Sequence, residues 1–218
     1  MTGSRDLAAK RRLLSAALVE VPFDGWSERT LRRAASAAGL GRSEATRLFP
    51  GGVGALVAFH LEEVDSAMLA ELARRDLAAM RVRDRIQTAV RVRLELQARH
   101  REAVRRTLAY LALPGNGRRA LSALGRTVDR IWRAAGDQAT DFNYYTKRAL
   151  LAGVYGATVL FWLDDDSDGH EATWAFLDRR IDEVMSIEKA RGRVAKRLDR
   201  LPSPWRALGR LRYGRAGA

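Results

Sequence analysis

Cysteine is absent from the 218 residues, which excludes disulfides and thiolate metal sites and points to an intracellular setting. Proline occurs only five times, and no stretch alternates apolar and polar residues in the manner of a half-buried strand. No apolar run reaches the roughly 18 residues that a spanning helix needs. The longest, ALLAGVYGATVLFWL (Ala149–Leu163), reads as a buried or dimer-forming helix rich in small residues. The N-terminus lacks a secretory apolar region followed by a cleavage site. Its opening RDLAAKRRLLSAALVEV reads as a helix with Leu7, Leu14, Leu18 and Val21 inward.

What remains is rich in Ala, Leu and Arg, with 47% hydrophobic residues, enough for a full helical core. The formal net charge is +13 and it is unevenly spread. Residues 111–188 carry a small acidic excess, whereas residues 189–218 carry ten basic side chains and one acidic. A basic tail of that kind seeks a polyanion, either nucleic acid or an anionic lipid surface.

Helical periodicity predicts nine helices. Pro22 and Gly25 in VPFDGWS break the first, with Phe23 and Trp26 packing down on a small bundle. Ser27 is a suitable N-cap for the second, whose Leu31, Ala34, Ala35 and Ala38 share a face before Gly39 ends it. The third covers about Arg42–Phe49. Val57, Leu61, Val64, Met68 and Leu72 form the stripe of the fourth, and Val82, Ile86, Val90 and Leu94 that of the fifth. Val104, Leu108 and Leu111 mark the sixth, stopped by PGNG, and Leu121, Leu124, Val128 and Ile131 the seventh. The eighth spans about Phe142–Leu163, and the ninth follows DDDSDG and runs to about Lys189.

Three short helices before a larger helical body is the layout of the TetR-like fold, all-α, with an N-terminal helix-turn-helix bundle (1–50), a ligand-binding and dimerisation body (51–190) and a basic amphipathic tail (191–218). The helix-turn-helix is poorly furnished for DNA. By analogy with TetR-like repressors, Glu44 puts a carboxylate where a phosphate would sit and Thr46 lacks the reach of an aromatic, while Arg42 and Arg47 remain for phosphate contact. DNA is therefore an unexpected partner, although a ligand-responsive transcriptional regulator is the alternative reading.

Catalytic constellations are missing from the sequence pattern. His60, His100 and His170 lie far apart, with no Glu-x-x-His pair of the di-iron kind. DDDSDG imitates the start of a calcium loop, but the position for its bidentate Glu is Ala175. An acidic start to the ninth helix accounts for it. The expectation is a protein that is not an enzyme and has no cofactor.

The most specific stretch is DFNYYTKRALLAGVYGATVLFWLDDDSDGHEATWAFLDRRIDEVM (Asp141–Met185). Its D-x-N-x-Y-T-K-R, LLAxVY, acidic loop and TWxFLxxRI, together with VPFDGWSERTLRRAASAAGL near the N-terminus, resemble the ubiquinone (coenzyme Q) biosynthesis accessory family. The resemblance implies a lipid-binding, TetR-like homodimer that presents a polyprenyl quinone intermediate to the di-iron hydroxylase acting on demethoxyubiquinone. It implies a hydroxylase-binding patch at Tyr144, Tyr145, Lys147 and Arg148, with Tyr144 standing where a Trp is common. The residues agree in kind: neighbours on a helix point about 100° apart, so two adjacent tyrosines cannot both face the core. Tyr beside Arg is typical of an interface hot spot. The other reading makes one tyrosine core and the cations solvated.

In the tail, Trp205, Leu208 and Leu211 share a face, with Arg206, Arg210 and Arg212 around them. This reads as an interfacial segment inserting Trp and Leu beside anionic headgroups. A tail packed on its own domain and a nucleic-acid arm are the competing readings. The expected location is cytoplasmic, peripheral at the inner membrane.

Overall fold

The computed structural model describes residues 2–137 and 142–199, and among them every regular element is helical. The order is α1 Thr2–Asp24, α2 Glu28–Ala37, α3 Arg42–Leu48, α4 Gly52–Leu72, α5 Val82–Glu95, α6 Arg101–Ala112, α7 Gly117–Ala134, α8 Phe142–Asp164 and α9 Glu171–Asp199.

Local chemistry sets the helix-turn-helix. The Ser27 hydroxyl accepts from the Thr30 N–H at 3.1 Å and caps α2. At its other end the Gly39 N–H reaches the Ser36 carbonyl at 3.0 Å and the Leu40 N–H reaches the Ala35 carbonyl at 2.9 Å. That paired arrangement needs a left-handed residue, and Gly39 supplies it with φ +69°. Leu13, Ala17, Val21, Leu31, Ala34, Leu48 and Phe49 are buried with Leu56 and Val57 of α4, so the bundle has its own core.

Two expectations at the end of α1 are corrected. The helix runs through Pro22 to Asp24. Pro22 removes one helical hydrogen bond near the end of the helix. Burial of Ala17 and Val21 holds the last turn in place, and the Pro22 carbonyl accepts from Arg106 Nε at 3.2 Å. Phe23 points outward, 83% exposed, because it lies about 200° around the helix from fully buried Val21. Leu121 is likewise outward, 72% exposed, and the inner face of α7 is made by Ala123, Thr127, Val128 and Ile131.

Helices α4 to α8 pack around a second interior. Residues 1–177 form one compact unit that contains it. The start of α9 is held by Asp165, whose carboxylate accepts from the Thr173 N–H at 2.8 Å and from the Thr173 hydroxyl at 2.5 Å. This is the acidic helix start expected of DDDSDG. The other unit begins at Asp178 within α9, where Arg180 pairs with Glu183 at 2.6 Å.

Candidate functional site

An apolar cavity of about 380 Å³ lies between α4, α5, α6, α7 and α8. Leu61, Leu108, Leu111, Leu124, Val159 and Leu160 are among the large apolar side chains of its wall. The size falls in the usual range for small-molecule sites, about 300–1,000 Å³.

A buried polar cluster borders the cavity. Asp65 of α4 is fully buried and Arg93 of α5 is 3% exposed. Arg93 Nε donates to Asp65 Oδ1 at 2.9 Å, and Arg130 Nη1 donates to Oδ2 at 3.2 Å. The Thr127 hydroxyl lies 3.0 Å from both carboxylate oxygens. The other end of Arg93 donates through Nη1 to the Tyr155 hydroxyl of α8. The carboxylate thus joins three helices and, through Arg93, a fourth, and Arg93, Thr127 and Tyr155 also line the cavity. Burial pushes the Tyr155 phenol up from its ordinary value, the nearby Asp65 charge adds to this, and Arg93 opposes it; the phenol is neutral. Sequence reasoning missed this cluster, although the signal was present. Asp65 falls on the Leu61–Met68–Leu72 face, and Arg93 falls on the Ile86–Val90 face.

The patch at the start of α8 is only partly a surface. Tyr145 is 72% exposed. Lys147 Nζ pairs with Asp137 at 2.9 Å, and its ammonium sits over the Trp132 ring, 5.4 Å from the centroid. Arg148 is 12% exposed and pairs with Asp129 at 2.7 Å and Asp137 at 3.3 Å. The two cations therefore fasten α8 to the end of α7, and Tyr145 presents the larger exposed face. The Tyr144 side chain and residues Trp205, Arg206, Leu208, Arg210 and Leu211 lie outside the described residues.

In the helix-turn-helix, Arg47 donates twice to the Asp6 carboxylate. Glu28 of α2 accepts from the Val53 N–H at 3.3 Å, placing a carboxylate on the N-terminus of α4. Gly52 makes room for it: a Cβ there would lie 2.6 Å from Glu28 Oε1. Glu44 is partly buried beside Arg47, and Arg42 is exposed.

Known proteins resemble this chain in sequence and in fold. The profile of the COQ9 family matches residues 117–188, which hold α7, α8 and the start of α9. The rat ubiquinone biosynthesis protein COQ9, mitochondrial, is 37% identical over 197 residues, covering 87% of this chain and 61% of its own length. The homologues of the chain are COQ9 proteins. The human protein of the same name is 34% identical, over 87% of this chain and 60% of its own, and the Drosophila melanogaster one 32%, over 83% and 56%. The chain thus spans about three-fifths of the length of these COQ9 relatives. Among solved structures, the TetR transcriptional regulator from Nitrosomonas europaea superposes with a TM-score of 0.66 at 19% identity, covering 81% of this chain and 97% of that one. The fold is TetR-like, as its helix order implies. Among the described residues no helix is long and apolar enough to cross a membrane.

Proposed function

We propose that the chain is a non-enzymatic accessory protein of ubiquinone biosynthesis. It receives a polyprenyl quinone intermediate in the cavity between α4 and α8 and offers it to a hydroxylase at the membrane. The observation that carries this reading is the apolar cavity with a few polar groups at its border, in a chain related to proteins named for ubiquinone biosynthesis. A cavity of about 380 Å³ holds a ring with the first part of its chain, and the rest of a long isoprenoid must leave it.

Tyr144 and Tyr145 form the hydroxylase-docking face, while Lys147 and Arg148 set the angle of the helix that presents them. The outer side of α8 continues past Tyr145 through Ala149 and Gly153 to Leu160 and Phe161, all exposed and uncharged, which suits a homodimer seam. The basic tail, with Trp205, Leu208 and Leu211 among Arg206 and Arg210, supplies the membrane contact. Internal partners for Arg47 and for the N-terminus of α4 favour this reading over a DNA-binding regulator.

Mass spectrometry of lipids co-purifying from a quinone-producing host tests the proposal. An isoprenoid quinone or its precursor is the expected cargo, and its absence would defeat the lipid-carrier reading.

A further inference from the structure

Three hydroxyl groups line the cavity, and their protons have different fates. Thr107 donates to the Ala103 carbonyl at 2.7 Å and accepts from the Trp26 indole at 2.9 Å. Thr127 donates to Asp65 at 3.0 Å. Tyr155 is placed the other way round: its oxygen accepts from Arg93, and among the described residues no acceptor takes its proton. A guanidinium has donors only, so Arg93 cannot reverse that bond. Arg93 in turn is held by Asp65, and Asp65 by Thr127 and Arg130, so the phenol oxygen is fixed from behind.

We infer that the Tyr155 hydroxyl is the head-group site of the cavity, donating its proton to a ring carbonyl oxygen of the bound lipid, with the isoprenoid chain running along the leucine-lined wall. This rests on the lipid-carrier reading above and adds the orientation and chemical class of the ligand's polar end. A donor facing an apolar cavity needs an acceptor once a ligand fills it, and a quinone carbonyl supplies one without bringing a donor that would confront Arg93. A phenol bonded to a cation is also a better donor than a lone one, because the charge polarises the O–H bond. The same site disfavours an apolar chain end at Tyr155, since that end would leave the O–H without a partner.

Equilibrium dialysis with two ligands of equal tail tests this. Decylubiquinone carries ring carbonyls, and decylbenzene carries the same ten-carbon chain on a ring with no oxygen. The full chain is expected to bind both. Tyr155→Phe is expected to lower decylubiquinone affinity about tenfold, the worth of about one hydrogen bond, while leaving decylbenzene unchanged. Unchanged decylbenzene binding also shows that the variant's cavity is intact. Equal losses for both ligands, or no loss for either, would overturn the inference and leave the carrier reading standing. A wild-type protein that binds neither ligand sinks both. If Tyr155→Phe does not fold, infrared difference spectra of decylubiquinone on the wild-type chain decide instead. A lowered carbonyl stretching frequency supports the phenol donor, and an unshifted band overturns it.

Discussion

Arg47 and Asp6, 41 positions apart, form two parallel hydrogen bonds of 2.9 Å that join α3 to the first turns of α1. Of the two cations that the helix-turn-helix retained for phosphate, this one already has an anion. Asp6→Ala releases it. If α3 then meets DNA, salt-dependent binding to a non-specific duplex should gain about one phosphate contact, steepening the log–log slope by about 0.9. Filter binding across a salt series checks this. A slope equal to wild type would show that α3 stays off the backbone even with Arg47 released.

The start of α8 separates docking from folding. Tyr145→Ala removes an exposed ring, so thermal unfolding should be unaltered while hydroxylase binding weakens by about 2 kcal/mol. Arg148→Ala takes one cation from Asp129 and Asp137, which keep Arg133 and Lys147, and should destabilise the fold by about 1 kcal/mol. Parallel denaturation and pull-down measurements distinguish the two. Should Tyr145→Ala unfold the protein, the ring is a packing element and the docking face lies elsewhere.

Gly156 sits on the cavity wall, and a Cβ built there meets no atom within 4 Å. The first carbon of a Gly156→Leu side chain therefore enters freely, and the rest takes up cavity volume. The chain should gain about 1 kcal/mol in stability and lose its co-purifying lipid. Retention of lipid at wild-type stoichiometry would place the ligand outside this cavity.

His60 is 4% exposed, and burial, helped by the Arg93 charge, lowers its pKa to about 4. The folded state holds it neutral, whereas the unfolded chain takes up a proton near pH 6.5. The unfolded state binds more protons between those values, so this group's contribution is present above pH 6.5 and is lost as pH falls toward 4. Urea titrations at pH 7 and pH 4.5 should show a loss of about 2 kcal/mol from this group. His60→Phe should flatten the difference, and an equally steep variant would assign the acid sensitivity to other residues.

Deleting residues 191–218 should abolish sedimentation with anionic liposomes and leave thermal unfolding unaltered. Trp205→Ala should weaken that binding even at high salt, because the apolar contribution is not screened. A nucleic-acid arm would instead respond steeply to salt and little to Trp205. Full liposome binding by the shortened chain would move the membrane contact elsewhere.

Helix order and the three-helix bundle were legible because small-residue periodicity, Ser27 and Gly39 act locally. Phe23 and Leu121 were misread because hydrophobicity alone does not say which side of a helix another helix will cover. Asp65, Arg93 and Thr127 escaped notice because their partners come from different helices, and only folding brings them together. Each nonetheless interrupts an apolar face, and opposite charges doing so on two helices are a readable sign of a buried pair. Lys147 and Arg148 looked like surface cations because Asp129 and Asp137 lie on the preceding helix and its exit.

Trp26 hangs from the turn between α1 and α2, yet its indole N–H ends on Thr107, a residue of the cavity wall. Any cargo that presses on Thr107 shifts the acceptor of that indole. If the proposed cargo loads this cavity, the emission of Trp26 would report it without a label. In a version with Phe at the other four tryptophan positions, cargo uptake and hand-off could be followed in real time from the far side of the bundle.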